Sequence, residues 1–138
     1  MFNTLANRKI ALFGFAFKAD TGDTRESPAI RIARLLLEEH AAVVVTDPHA
    51  LDNARRDLGE YGERVEFEAD PYRAVAGADA VALFTDWREY RQIDYRRIFA
   101  AMRKPAFLFD GRNHLDHEHL FGIGFNVFAV GKAPRTHF

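Results

Sequence analysis

The 138-residue sequence has no cysteine, a single tryptophan and two methionines. Without cysteine the chain has no disulfide, no thiolate metal ligand and no cysteine nucleophile. That composition suits a reducing cytoplasm, the compartment expected here. An excess of charge of one sign is also missing: 19 Lys and Arg face 20 Asp and Glu, a formal net charge of −1. Proteins that coat a phosphate backbone carry a visible basic surplus, so no nucleic-acid partner is expected. No apolar run reaches the ~18–20 residues that span a bilayer. Met1 to Lys9 likewise lacks the apolar stretch of a secretory signal, so no membrane partner is expected. What is present is ordinary globular composition, 48% hydrophobic and 28% charged, at a length suited to one domain.

Four short apolar runs stand out: Lys9-Ile-Ala-Leu-Phe13, Ala42-Val-Val-Val-Thr46, Ala80-Val-Ala-Leu-Phe84 and Ala106-Phe-Leu-Phe109. They are continuous rather than alternating, as parallel strands covered on both faces require. Val65–Glu68 and Phe125–Val130 are weaker candidates, the latter as an edge strand. Helical patterns lie between the runs. The clearest is Pro28–His40, with Ile30, Ala33, Leu36 and Leu37 on one stripe, Ser27 as N-cap and Pro28 at the first helical position, where its missing N–H costs nothing. Further helices are expected at Ala50–Leu58, Pro71–Ala76, Tyr95–Met102 and Leu115–Phe121. Strands alternating with helices predict a single doubly wound, Rossmann-like α/β domain over residues 9–138. Its sheet is expected to be mainly parallel, with about five or six strands and right-handed crossovers. Residues 1–8 read as a short leader ahead of the first strand.

In an open parallel sheet, ligands bind beyond the carboxyl ends of the strands. Three segments there are chemically unusual. Gly14 to Glu26 is a 13-residue connection, where ~2–6 residues are usual. It carries Gly14, Gly22, Lys18 and Arg25 and feeds a capped helix N-terminus, whose free N–H groups and dipole favour anions. A phosphate cradle is one reading. A solvated loop with its cations neutralised by Asp20, Asp23 and Glu26 is the other. The segment is no dinucleotide fingerprint, because Phe15, Ala16 and Phe17 follow Gly14. In Thr85-Asp-Trp87, Trp87 either stacks on a base or sugar or, more simply, covers the edge of the core. In Asp110-Gly-Arg112, Gly111 permits a tight turn and Arg112 points across the same crevice as Lys18, suited to bidentate phosphate or ribose recognition. The plainer alternative is a surface Asp110–Arg112 pair.

Other features carry less. His114-Leu-Asp-His117-Glu-His119 has no zincin spacing, so a solvated helix start is expected rather than a metal site. Asp47-Pro48 ends the second run, where a dinucleotide fold places a ribose-binding acid. Without the glycine fingerprint, a turn or helix start is expected. Arg88–Lys104 holds six cations against Glu89 and Asp94 and reads as a solvated helix face.

Gly14-Phe-Ala-Phe-Lys-Ala-Asp-Thr-Gly-Asp-Thr-Arg-Glu-Ser-Pro28 closely resembles the signature that opens the C-terminal domain of UDP-glucose 6-dehydrogenases. Phe109-Asp-Gly-Arg112 resembles that domain's second signature. Thr85-Asp-Trp87 is similar to a third, which in the family is more often Thr-Glu-Trp. Phe2-Asn-Thr4 is similar to the end of the segment that leads into the domain, so that residues 1–8 would come from an interdomain helix. Thr21-Gly-Asp-Thr-Arg25 is closer to the UDP-glucose branch than to the GDP-mannose or UDP-N-acetylmannosamine relatives.

The resemblance implies a two-step, NAD-dependent oxidation of the sugar C6 alcohol through a thioester on a catalytic cysteine. It also implies a homo-oligomer whose contacts lie on a central helix. In this chain Phe17, Lys18 and Arg112 would contact the UDP-sugar and Arg25 the NAD pyrophosphate. Gly14, Gly22 and Gly111 would let the backbone approach or turn. The family's cysteine, lysine base and NAD fingerprint belong to a part that this sequence lacks, so binding of UDP or UDP-glucose, with no turnover by this chain alone, is the expectation. Two rivals remain. A receiver-like regulatory domain would need acids where Gly14-Phe-Ala-Phe17 stands. An oligomerisation module would expose some of the 13 phenylalanines, with Phe121, Phe125 and Phe128 the cluster of interest.

Overall fold

The computed structural model describes residues 6–16 and 27–138. Six strands alternate with helices: β1 (Lys9–Phe13), α1 (Pro28–Glu38), β2 (Ala42–Thr46), α2 (Leu51–Asp57), β3 (Val65–Phe67), α3 (Pro71–Ala74), β4 (Ala80–Leu83), α4 (Glu89–Gln92), α5 (Tyr95–Ala101), β5 (Phe107–Asp110), α6 (His117–Ile123) and β6 (Asn126–Ala129). All five strand pairings are parallel, in the order β3-β2-β1-β4-β5-β6. This is the doubly wound order of a Rossmann-like sheet. The chain reverses its direction of growth between β1 and β4, so the crevice for a ligand opens above the carboxyl ends of those two strands.

The continuous apolar runs are explained by a core on each face. On one face Ile10, Leu12, Val43, Val45, Ala80 and Ala82 meet α1 through Ala29, Ala33 and Leu37, and α2 through Ala54. On the other, Ala11, Phe13, Val81, Leu83, Leu108 and Val127 meet Val75, Tyr90, Tyr95, Ile98 and Leu120. Each strand residue points to one layer or the other, so the interior positions of β1, β2, β4 and β5 are apolar. β6 is an edge strand, and its outer side is partly closed by an antiparallel bridge between Val127 and Arg135. Phe125 is fully buried, and Phe121 stacks on His137 with ring centroids 4.1 Å apart. Phe128 packs on Phe107 with ring centroids 6.3 Å apart, so all three clustered phenylalanines have partners inside the chain.

Helix starts follow side-chain chemistry. Ser27 Oγ accepts from the Ala29 amide at 3.2 Å, with Pro28 opening α1. Asp70, Asp94 and Asp116 cap α3, α5 and α6 in the same way. The sequence pattern places the last helix at Leu115–Phe121, but it runs from His117 to Ile123 because Asp116 caps it and Gly124, at φ 134°, ends it. α4 and a 3₁₀ segment at Gly59–Arg64 are too short to show a hydrophobic period. Among the described residues, no helix is long and apolar enough to cross a membrane.

Candidate functional site

The loops after β1, β2, β4 and β5 meet at the carboxyl edge of the sheet. The structure describes three of the seven residues singled out from the sequence: Gly14, Gly111 and Arg112. Phe17, Lys18, Gly22 and Arg25 lie outside the described residues.

Gly14 leaves β1 with φ 92°, and its amide donates to Thr46 O at 2.8 Å. A Cβ at this position would lie 2.5 Å from Thr85 Cβ and 2.8 Å from Thr85 N. Glycine is thus required twice, by the backbone angle and by the approach of the β4 loop. Gly111 is required by proximity alone: its Cβ would stand 2.9 Å from Leu83 O and 3.1 Å from the Phe84 ring. The turn it makes delivers Arg112 to the crevice edge. The Arg112 guanidinium faces Asp86 at 3.6 Å and the Phe84 carbonyl at 3.5 Å. It does not pair with the Asp110 carboxylate, to which Arg112 donates through its backbone amide alone, at 3.1 Å. The surface Asp110–Arg112 pair is corrected accordingly, since Asp110 is turned inward and fully buried. Arg112 is left partly exposed with long contacts, a cation held in place but not consumed.

Asp110 organises its whole turn. Oδ1 accepts from the Arg112 amide, while Oδ2 accepts from the amides of His114 and Leu115, each at 2.8 Å, and from His117 Nε2 at 2.8 Å. His114 Nε2 in turn donates to the Trp87 carbonyl at 2.7 Å. Because a carboxylate and a carbonyl only accept, both imidazoles carry their proton on Nε2. His114 and His117 are therefore braces between loops and not a solvated helix start, as the spacing suggested. No metal-binding group of histidines and acids occurs among the described residues. Clefts of about 650 and 370 Å³ flank this connection, the first lined by His117, Lys132 and Arg135 and the second by Arg91, His114 and His119.

Trp87 is buried and covers the core edge, and its indole N–H donates to Asp47 Oδ2 at 3.1 Å. Asp47 is the site residue that the sequence reading undervalued. Its carboxylate is buried and holds three loops together. The signal that could have found it is an Asp-Pro step at a strand end, where aspartate collects nearby backbone amides. Two tyrosines pack beneath these acids. Burial first, and then the Asp47 charge, push the Tyr90 phenol well above its ordinary value. Burial and then Asp110 do the same to Tyr95. Their hydroxyls donate to Thr46 O at 3.2 Å and Tyr90 O at 2.5 Å, keeping both phenols neutral donors.

A turn-borne arginine after β5, beside the β1–β4 switch point, suits an anionic nucleotide, and known proteins agree. The model for the UDP binding domain of the UDP-glucose/GDP-mannose dehydrogenase family matches residues 11–117. UDP-glucose 6-dehydrogenase 2 of Oryza sativa subsp. japonica is 43% identical over 155 residues, covering 99% of this chain and 32% of that protein. The UDP-glucose 6-dehydrogenase of Caenorhabditis elegans is 45% identical over 141 residues, covering 97% and 29%. Among solved structures, a UDP-glucose dehydrogenase from Pyrobaculum islandicum superposes with a TM-score of 0.72 at 31% identity, over 91% of this chain and 26% of its own. An NDP-N-acetyl-D-galactosaminuronic acid dehydrogenase from Methanosarcina mazei Go1 gives 0.81 at 25% identity, over 98% and 27%. The chain thus spans about a third of the length of the curated relatives it matches. With the glycine turn, the placed arginine and the strand order all accounted for, the chain belongs to the UDP-glucose/GDP-mannose dehydrogenase family, as its UDP binding domain.

Proposed function

We propose that this chain grips the UDP moiety of UDP-glucose for an NAD-dependent dehydrogenase that makes UDP-glucuronate, with the chemistry carried by a partner region that the relatives have and this chain does not span. The observation that carries the reading is Arg112, held at the crevice edge by a glycine turn and a saturated Asp110, with only distant contacts on its guanidinium. Phe17 and Lys18, from the neighbouring β1 connection, complete the proposed substrate contacts, with Gly14, Gly22 and Gly111 supporting the backbone. A diphosphate rewards two cations from separate loops more than either alone.

The described residues do not fit an NAD cradle. The acid that would hold a ribose, Asp47, already accepts five protein N–H groups, and Gly-x-Gly-x-x-Gly is absent. NAD therefore belongs mainly to the catalytic region, with Arg25 the proposed contact from this side. Residues 1–8 would lead from the interdomain helix, and the complete enzyme would be a cytoplasmic homo-oligomer.

Calorimetry tests the reading. UDP and UDP-glucose are expected to bind the chain weakly and alike, because the sugar contacts lie mainly in the other region. Arg112→Ala should weaken UDP about tenfold or more, the size of a lost charged hydrogen bond. Absence of heat at millimolar UDP, with the fold intact by circular dichroism, overturns it. Heat that is unchanged by Arg112→Ala removes Arg112 from the site.

A further inference from the structure

Asp47 stands one residue beyond β2, where a dinucleotide-binding fold places an acid on a ribose. Here its oxygens have no capacity left for a ligand. Oδ2 accepts from the Phe15 and Ala16 amides at 2.8 and 3.1 Å and from the Trp87 indole at 3.1 Å. Oδ1 accepts from the His49 and Ala50 amides at 2.8 and 2.9 Å. Five donors meet a carboxylate that offers about four lone-pair directions. They come from the loops after β1, β2 and β4. Ala16 is clamped from both sides, since its carbonyl also accepts the Thr85 hydroxyl at 2.8 Å. Ala16 is the residue directly before Phe17 and Lys18.

We infer that Asp47 is a positioning residue for nucleotide binding: it touches no ligand but fixes the backbone of Phe15 and Ala16, which immediately precede Phe17 and Lys18 in the sequence. The inference rests on the UDP-binding reading of those residues. Trp87 extends the arrangement, because its carbonyl takes His114, whose amide sits on Asp110, whose other oxygen holds the Arg112 amide. A continuous set of hydrogen bonds thereby joins the β1 exit to the Arg112 turn. Groups held in place before binding lose less freedom when the ligand arrives, which is the gain such a scaffold supplies.

Asp47→Asn keeps the shape but turns one acceptor into an NH₂ that faces backbone N–H donors. Amide hydrogen exchange without ligand and UDP calorimetry are measured on this variant, on Leu37→Ala as a core control, and on the parent chain. Asp47→Asn is expected to speed exchange at Phe15 and Ala16 selectively. It should weaken UDP roughly tenfold or more, as loss of an outer orienting partner does at other binding sites. Leu37→Ala should speed exchange broadly and leave UDP affinity within about twofold, being remote from these loops. Trp87→Phe, which deletes one donor and keeps the charge, should give the Phe15 and Ala16 signature at smaller size, and serves if Asp47→Asn does not fold. Unchanged exchange at Phe15 and Ala16, or a profile matching Leu37→Ala, overturns the inference. If the parent chain binds no UDP, the functional reading fails and the positioning role with it; if the parent binds UDP and Asp47→Asn speeds exchange at Phe15 and Ala16 but leaves UDP affinity unchanged, the positioning role alone is overturned.

Discussion

Gly14 shows how much one residue can carry. Its φ of 92° is left-handed, and Thr85 packs where a side chain would begin. Gly14→Ala should therefore cost at least about 2 kcal/mol, joining backbone strain of about 1–3 kcal/mol to a comparable overpacking term. Gly131 has a similar φ of 72° with nothing near its missing Cβ. Gly131→Ala should show only the backbone part. Denaturant titration of the two variants separates the effects, and equal losses would mean that the Thr85 contact yields freely. At this same scale the sequence was partly legible. Gly14, Gly111 and Arg112 could be picked out because turn glycines and a strand-end arginine have a local signature. The Asp-Pro step marks the local half of Asp47's role, on the His49 and Ala50 amides, but the other half comes from amides 31 and 32 residues away in the chain, which no local pattern shows.

At the scale of elements, boundaries follow caps wherever the capping side chain is local. Ser27 Oγ on the Ala29 amide starts α1. Ser27→Ala should lose about 1 kcal/mol of stability, whereas Ser27→Gly should lose only a few tenths. Thermal or denaturant unfolding gives both values, and an equal loss for the two would assign the effect to side-chain burial instead of capping. The four strong strands and α1 were legible because a buried parallel strand and an amphipathic helix each write a period into the chain. α4, of four residues, writes none and is held by tertiary contacts: the Tyr90 ring lies 5.4 Å from that of Phe13, and its hydroxyl reaches β2. The histidines after β5 were misjudged for a related reason. Spacing along a helix says nothing about Asp110 and the Trp87 carbonyl, the groups His117 and His114 meet.

The molecule as a whole places two phenols beneath two buried carboxylates. Tyr90 and Tyr95 both have their pKa raised above the ordinary ~10, by burial first and by Asp47 and Asp110 second. Below about pH 10 these protons are bound in both folded and unfolded chains, and the stabilising contribution is fully present. Above it the unfolded chain releases them first, so stability falls as pH rises toward the folded values. Denaturant unfolding across about pH 9 to 11.5 should show this decline, and Tyr95→Phe should make it shallower. A decline equally steep in Tyr95→Phe would mean that this phenol titrates as freely folded as unfolded. The sequence by itself determined the layers, because continuous apolar strands admit only a sheet covered on both faces. It also determined that no thiolate chemistry can occur within this chain. Only the tertiary structure decided which polar groups serve the crevice. Hydrogen bonding depends on what stands within about 3 Å, and folding brings Asp47, Trp87, His114 and Asp110 to that distance across three loops of one sheet edge.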